Sequence, residues 1–291
     1  MSVNRRIATL LVAATLAAAG ALAAHDMFLK LPAYFLEPDA DVEVALVNGT
    51  FDRSENVITR DRMGDVSIVR PGGEVTHPPS SAWRDSAVHH ENPDSVDTSI
   101  LGFRTGGTGT YVIGVSTKAR ILSLSAEDFN AYLEHDGVLD ILEARKKRGE
   151  TDLPATERYS KHVKAIVQVG EIRTDTYGDE LDYPAEFMPL QNPYGLTMGD
   201  TLELRFLHRG HPVASQLVYA SYERYHAHGD TDAVAHREAV ETRTDADGVA
   251  RIPLSQAGRW YVRTIRMVET VDEPEVDYES NWATVTFEIG R

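Results

Sequence analysis

The position of His25 is the first feature of this chain that suggests metal chemistry, because it follows a segment typical of a cleavable export signal. Residues 4–6 give that segment a basic start, residues 7–24 are apolar and rich in alanine and leucine, and Ala21-Leu22-Ala23 is the small-x-small pattern that signal peptidase recognises. Residues 1–24 are therefore predicted to be a signal peptide, and the protein is expected in the periplasm. Cleavage after Ala23 or after Ala24 fits the pattern, so His25 is second or first in the mature chain.

Either product places the imidazole of His25 next to a free α-amino group. If His25 leads the mature chain, the amine and the imidazole form a bidentate chelate. If Ala24 leads it, the amine, the amide nitrogen and the imidazole bind together, most readily to Cu(II) or Ni(II) in a tetragonal field. We therefore expect His25 to be a ligand of a transition metal. The competing interpretation is a frayed N-terminus at which His25 binds nothing.

Two further histidine pairs have spacings that suit metal binding. In His208-Arg209-Gly210-His211, a two-residue hairpin turn would set the imidazoles opposite each other, with Cβ atoms about 5 Å apart. In His226-Ala227-His228, an extended backbone would point both imidazoles to one face. Each pair also has a simpler interpretation, as solvated turn residues for His208 and His211 and as a flexible polar loop for His226 and His228.

Composition limits the class of protein. The chain has 45 acidic and 29 basic residues, and since the predicted signal holds two arginines and no acid, its removal changes the formal charge from −16 to −18. Such a protein is not expected to bind nucleic acid through phosphate contacts, and it attracts cations. The absence of cysteine excludes disulfides and thiolate metal sites. No second apolar stretch approaches the roughly 20 residues that span a bilayer, so no stable membrane insertion is expected after cleavage.

Sequence motifs of catalysis are not found. The chain has no Gly-x-Ser-x-Gly elbow, no His-Glu-x-x-His and no dinucleotide fingerprint. The acidic run at residues 272–279 lacks the ligand spacing of an EF-hand and is interpreted as a solvated loop. We expect a protein that is not an enzyme.

The elements that must position the histidines are mostly strands. Residues 41–47 alternate in the manner of a half-buried strand, Val163, Ala165, Val167 and Val169 alternate as a strand, and short strands follow one another from residue 201 onward. Ser125 is a candidate N-cap for a short helical insert at about 125–149. The predicted fold is mainly β, with two β-sandwich parts of immunoglobulin or transthyretin type and the helical insert in the first.

Loops divide this predicted fold. The glycine group at residues 106–109 is interpreted as a hairpin loop, and the proline-rich segment 182–193 as an interdomain crossing. The crossing separates a predicted N-terminal β domain at 25–181 from a predicted C-terminal β-sandwich domain at 190–291.

Several blocks of sequence, in order along nearly the whole mature chain, resemble the exported domain-of-unknown-function 4198 family. The blocks are Ala24-His25-Asp26-Met27-Phe28-Leu29, residues 122–133, Glu157-Arg158-Tyr159-Ser160-Lys161 with Gln168-Val169-Gly170, Asn192-Pro193-Tyr194 with Gly199-Asp200, Gly258-Arg259-Trp260, and Glu279-Ser280-Asn281-Trp282-Ala283-Thr284.

The resemblance implies an exported two-part β protein that handles a divalent transition metal, since members of this family are often described as periplasmic components of nickel or cobalt uptake. His25 is the ligand position that carries over. The chain departs from the expected pattern at Arg266, where a histidine is expected, and at Gly210-His211-Pro212, where the family usually has an ordinary Gly-x-Pro turn.

The leading hypothesis is a periplasmic protein that captures nickel or cobalt, with copper as a further candidate, and passes it to a membrane importer. His25 would be the primary ligand, with His226, His228, His208 and His211 as further candidates. The alternative is a non-enzymatic β-sandwich module that binds carbohydrate or a protein partner through tyrosines, Trp260 and Trp282, although core packing explains these tryptophans better. A third hypothesis is a copper monooxygenase that uses His25 as a brace.

Overall fold

Strands dominate the computed structural model, which describes residues 25–86, 98–225, 238–271 and 273–290. The predicted signal peptide lies outside these residues. The strands are β1 Met27–Lys30, β2 Phe35–Leu36, β3 Asp41–Asn48, β4 Met63–Val69, β5 Val75–Thr76, β6 Trp83–Ser86, β7 Thr98–Arg104, β8 Gly109–Thr117, β9 Arg120–Leu124, β10 Ala155–Val169, β11 Ala185–Pro189, β12 Thr201–His208, β13 His211–Pro212, β14 Leu217–Tyr222, β15 Val240–Arg243, β16 Val249–Pro253, β17 Gly258–Glu269 and β18 Tyr278–Ile289. The helices are α1 Ala126–His135 and α2 Leu139–Arg148, and short 3-10 turns lie at Arg60–Arg62, Ser80–Ala82, Asp175–Gly178 and Pro193–Gly195.

A large central sheet organises the described part of the molecule. Its main path runs β15-β14-β17-β18-β10-β8-β4-β5, and β2 and β9 also pair with β10. The long strand β10 lies parallel to β18, whereas β17 and β18 are antiparallel. The mainly β prediction is therefore confirmed, with a parallel strand pair that joins residues 121 positions apart in the chain.

A smaller sheet lies on each side of the central sheet. The strands β1, β3, β7 and β6 form one of them, and the Thr284 and Thr286 hydroxyls donate to the carbonyls of Met27 and Leu29 in β1. The other contains β11, β12, β13 and β16, and its Glu186 pairs with Lys164 of β10. Because side chains alternate along a strand, Lys161 points to the β1 side and His162 to the β11 side. We call these sides the His25 face and the Glu186 face.

The alternating patterns place apolar side chains between the sheets. In β3, Val42, Val44 and Leu46 are buried while the intervening Asp41 and Glu43 are exposed, as the sequence predicts. One hydrophobic cluster contains side chains from all three sheets. The prediction of domains at 25–181 and 190–291 stays a prediction, and strands from both ranges share the central sheet.

The helical insert packs on the His25 face. The hydroxyl of Ser125 caps α1 by accepting from the amide of Asp128 at 3.1 Å, and α2 ends at Gly149, whose φ is +70°. Phe129 and Leu133 of α1 pack with side chains of β17 and β18 in a second hydrophobic cluster. Packing of the helix against the sheet fixes where its C-terminal end lies.

Two interpretations of loops are wrong. Residues 106–109 do not close a hairpin, because β7 pairs with β3 and β6 whereas β8 pairs with β10 and β4 in the central sheet. The loop carries the chain from one sheet to another. The segment 182–193 is more than a crossing, because it contains β11, which pairs with β12.

Candidate functional site

His25 lies immediately before β1, with its side chain 27% exposed. Its Nδ1 is 3.0 Å from Oε2 of Glu55, whose other oxygen is 2.8 Å from Nε of Arg53. Burial lowers the pKa of His25 below its ordinary value of 6.5, although Glu55 acts in the opposite direction. The imidazole is therefore neutral at neutral pH, which is the form that binds metals.

Lys161 holds the backbone of His25. Its Nζ donates to the His25 carbonyl and to Oδ1 of Asn48, the latter at 3.2 Å, and lies 4.9 Å from the ring centroid of Trp282. Burial lowers the pKa of this lysine to about 8. These contacts tie residue 25 to β10 in the central sheet.

Asp26 and Arg263 form the next layer of the site. Nε of Arg263 is 3.1 Å from Oδ2 of Asp26, and the same guanidinium also contacts the carboxylate of Glu238. Burial raises the pKa of Asp26 to about 6 in spite of the arginine. Burial would lower the pKa of Arg263, but Asp26 and Glu238 outweigh it and raise that pKa.

The C-terminal end of α1 brings a second histidine and a buried acid to this layer. Asp136 is 6% exposed, its carbonyl accepts from Nη1 of Arg263 at 3.0 Å, and its Oδ1 is 3.0 Å from Nδ1 of His135. The hydrogen bond to Asp136 raises the pKa of His135. Oδ2 of Asp136 is also buried, yet no group in the described residues forms a hydrogen bond with it.

Glu157 lies beneath the same face, 2% exposed. Its Oε1 accepts from the hydroxyls of Tyr132, at 3.1 Å, and Ser280. Burial raises the pKa of Glu157 to about 7. A carboxylate whose pKa is raised by burial is costly to ionise.

These residues define one polar group, the His25 cluster. It consists of His25, Asp26, Glu55, His135, Asp136, Glu157, Lys161, Glu238 and Arg263. The carboxylates in it outnumber the lysine and arginine, so an added cation is favoured electrostatically. Across residues 25–86, 98–225, 238–271 and 273–290, however, no three His, Asp or Glu side chains are placed to hold a metal ion together. A metal at His25 therefore needs a main-chain ligand, and the free α-amine would be one.

The other candidate histidines do not join this cluster. His208 and His211 pair directly across a two-residue turn in which Arg209 and Gly210 have φ values of +52° and +74°, so the predicted hairpin is confirmed. His208 pairs with Ala185 of β11, on the Glu186 face, and His211 is exposed. His226 and His228 lie outside the described residues, and their role stays a prediction.

Residues near these histidines have structural roles. His162 is buried, with Nδ1 2.9 Å from the Ser116 hydroxyl and Nε2 3.1 Å from Oδ1 of Asn281. Arg266, at the position where a histidine is expected, lies on the Glu186 face with Nη1 3.5 Å from Oε1 of Gln216.

Trp260 and Trp282 are 0% and 2% exposed, as expected for core packing.

Sequence reasoning found His25 but missed its neighbours. Glu55, Asp136 and Arg263 belong to different elements and form no local motif, so spacing alone does not reveal them. Lys161 differs from these residues because the sequence did single it out: it ends the block of residues 157–161, one of the blocks by which the chain resembles its family. That block was the available indication that β10 contributes to the site.

Fold and site together define a mainly β protein with a charged cluster around residue 25. The chain belongs to the family named for a domain of unknown function (DUF4198), which matches residues 22–267. A comparison with curated proteins gave no match. Across the residues that the structure describes, no helix has both the length and the apolar character needed to cross a membrane.

Three solved structures are distantly similar to this chain. Salmonella alpha-2-macroglobulin reacted with methylamine is 9% identical with a TM-score of 0.23, and the match covers 90% of this chain but 15% of that one. Murine CEACAM1b is 8% identical (TM-score 0.21, 91% and 100% covered), and the D0-D1 domain of intimin is 10% identical (TM-score 0.19, 90% and 97% covered). Scores this low carry no argument about this chain.

Proposed function

We propose that this protein binds a divalent transition metal at its processed N-terminus in the periplasm and supports uptake of that metal. Nickel and cobalt are the preferred ions, copper is a further candidate, and a membrane importer is the proposed recipient. The α-amine and Nδ1 of His25 would supply nitrogen ligands, and Glu55 a carboxylate oxygen.

One observation carries this proposal, the 3.0 Å separation between Nδ1 of His25 and Oε2 of Glu55. Metal–nitrogen and metal–oxygen bonds near 2.0–2.2 Å place two ligands at right angles about 2.9 Å apart. The pair therefore has the separation of two adjacent ligands, and an imidazole that is neutral at neutral pH loses no proton on binding.

Export supplies the ligand that the side chains lack. Signal cleavage would create the α-amine beside His25, so the site would form only in the mature protein. Backbone contacts from Lys161 and the Arg263–Asp26 ion pair hold residues 25 and 26 against the central sheet. A positioned N-terminus loses less conformational entropy when it binds a ligand than a frayed one.

The test uses protein purified from the periplasm, whose intact mass establishes whether Ala24 or His25 leads the chain. Isothermal titration with Ni²⁺, Co²⁺, Cu²⁺ and Zn²⁺ then compares wild type, His25→Ala, Glu55→Gln, and a form with two extra residues before the mature N-terminus. We expect one specific site in wild type, lost in His25→Ala and in the extended form, and weakened in Glu55→Gln.

The matched control is His211→Ala, which removes an exposed histidine outside the His25 cluster and should leave the site intact. Equal affinity in wild type and His25→Ala would contradict the proposal. Glycan or protein partners retained in the presence of chelator would favour the binding-module alternative instead.

A further inference from the structure

Asp136 is an unusual carboxylate because it is buried but only one of its two oxygens has a partner among the described residues. It follows α1 directly and is 6% exposed. Oδ1 has His135 as a partner, while Oδ2 has none within the described ranges. A buried acceptor without a partner costs about 1–3 kcal/mol, and more when it carries charge.

The cations beside Asp136 make their own contacts with other groups. Lys161 donates to the carbonyl of His25 and to Asn48. The guanidinium of Arg263 pairs with the carboxylates of Asp26 and Glu238 and reaches Asp136 only at its backbone carbonyl. Among the described residues, neither Lys161 nor Arg263 therefore forms an ion pair with the Asp136 carboxylate.

Asp136 and His25 belong to one continuous set of contacts. Arg263 joins the carbonyl of Asp136 to the side chain of Asp26, and Asp26 is the next residue after His25. The charge of Asp136 also acts on the imidazole of His25 and on the ammonium of Lys161. Asp136 therefore belongs to the charged layer that surrounds residue 25.

We propose that Asp136 is a further residue of this site, the buried carboxylate whose negative charge offsets the positive charge of the metal ion captured at His25. This inference rests on the proposed function. It deepens that function by specifying the substrate class: a mixed set of imidazole, amine and carboxylate ligands suits borderline divalent ions such as Ni²⁺, Co²⁺ and Zn²⁺, whereas Cu(I) selects thiolates and thioethers.

The deciding variant is Asp136→Asn, which keeps the shape and the acceptor for His135 but removes the charge. We expect its affinity for Ni²⁺ to fall roughly 10–100-fold. Its melting temperature without metal should equal or exceed that of wild type, because an unneutralised buried charge is gone. Asp136→Ser, also uncharged, should show the same loss of affinity and serves if Asp136→Asn folds poorly.

The matched control is Asp140→Asn, which neutralises an exposed acid of α2 paired with Arg243 and should bind Ni²⁺ as wild type does. If Asp136→Asn binds Ni²⁺ like wild type while His25→Ala does not, Asp136 only caps α1 and this inference is overturned while the proposed function stands. If wild type and His25→Ala bind alike, the proposed function itself fails, and the role of Asp136 with it.

Discussion

The two faces of the central sheet bury charge in different ways. On the Glu186 face, Lys164 and Glu186 form an ion pair whose side chains are 4% and 1% exposed, and both ring nitrogens of His162 have partners. On the His25 face, carboxylates outnumber cations and Asp136 has an open oxygen. Two side chains on the Glu186 face depart from this pattern, because Nε2 of His208 and Nε of Arg266 have no hydrogen-bond partner in the described residues.

This contrast distinguishes buried polar groups that are fully paired and stabilise the fold from buried polar groups whose pairing a bound ligand would complete. A buried polar network with every member paired contributes rigidity and specificity, while a partly satisfied one destabilises the protein unless something completes it. The Lys164–Glu186 pair needs nothing more. The His25 cluster gains from a cation, and a cation is what the proposed function supplies.

The largest expected effect on stability comes from breaking the Lys164–Glu186 ion pair. Glu186→Gln leaves the ammonium of Lys164 buried opposite a neutral amide, so the free energy of unfolding should fall by about 3–5 kcal/mol. Urea denaturation at neutral pH measures it, and Ni²⁺ affinity should not change. Lys164→Met combined with Glu186→Leu should recover most of the stability. A wild-type midpoint in Glu186→Gln would show that the pair is not structural.

Acid should weaken the Glu186 face through His162. Burial lowers its pKa to about 4, so between pH 6.5 and pH 4 the unfolded chain binds a proton that the folded one does not. Stability is therefore lost as pH falls through this window, by up to about 3 kcal/mol. Urea midpoints from pH 7 to pH 4 should fall less steeply in His162→Gln than in wild type. If the urea midpoints of wild type and His162→Gln fall in parallel, His162 is protonated in the folded protein over the same pH range as in the unfolded chain.

Glu157, on the His25 face, should respond to acid with the opposite sign. Glu157 has a pKa raised to about 7, so between pH 7 and pH 4.5 the folded protein binds the extra proton and this residue adds stability as pH falls. Above pH 7 the ionised carboxylate costs up to about 3 kcal/mol. Glu157→Gln should therefore raise the urea midpoint at pH 8 and have little effect at pH 4.5. A lower midpoint at pH 8 would show that the charge is stabilising.

Local patterns predicted the elements well. Alternation identified β3 and β10, the capping residue Ser125 and the terminal Gly149 bounded the helical insert, and the dipeptide Arg209-Gly210 gave a hairpin. Each of these depends on neighbours in sequence, where side-chain period and turn geometry act directly.

Pairings over long distances were not predictable in the same way. The parallel contact of β10 with β18 and the passage of residues 106–109 between sheets follow from packing of the whole chain. The site shows the same limit: the position of His25 after a signal segment indicated chemistry, but Glu55 and Asp136 reach it from separate loops. No spacing rule connects residues that only the folded sheets bring together.

The smallest expected effect tests whether the helical insert is a stable support for the His25 face. Ser125→Ala removes the hydroxyl that accepts from the amide of Asp128, so the free energy of unfolding should fall by about 1 kcal/mol. Because α1 is also held by Phe129 and Leu133 against β17 and β18, Asp136 should stay in place and Ni²⁺ affinity should match wild type. Ser125→Thr, which preserves the hydroxyl that accepts from the Asp128 amide and donates to the Asp128 carboxylate, is the control and should keep wild-type stability. Weaker Ni²⁺ binding in Ser125→Ala alone would show that the end of α1 is held by its first turn rather than by the sheet beneath it.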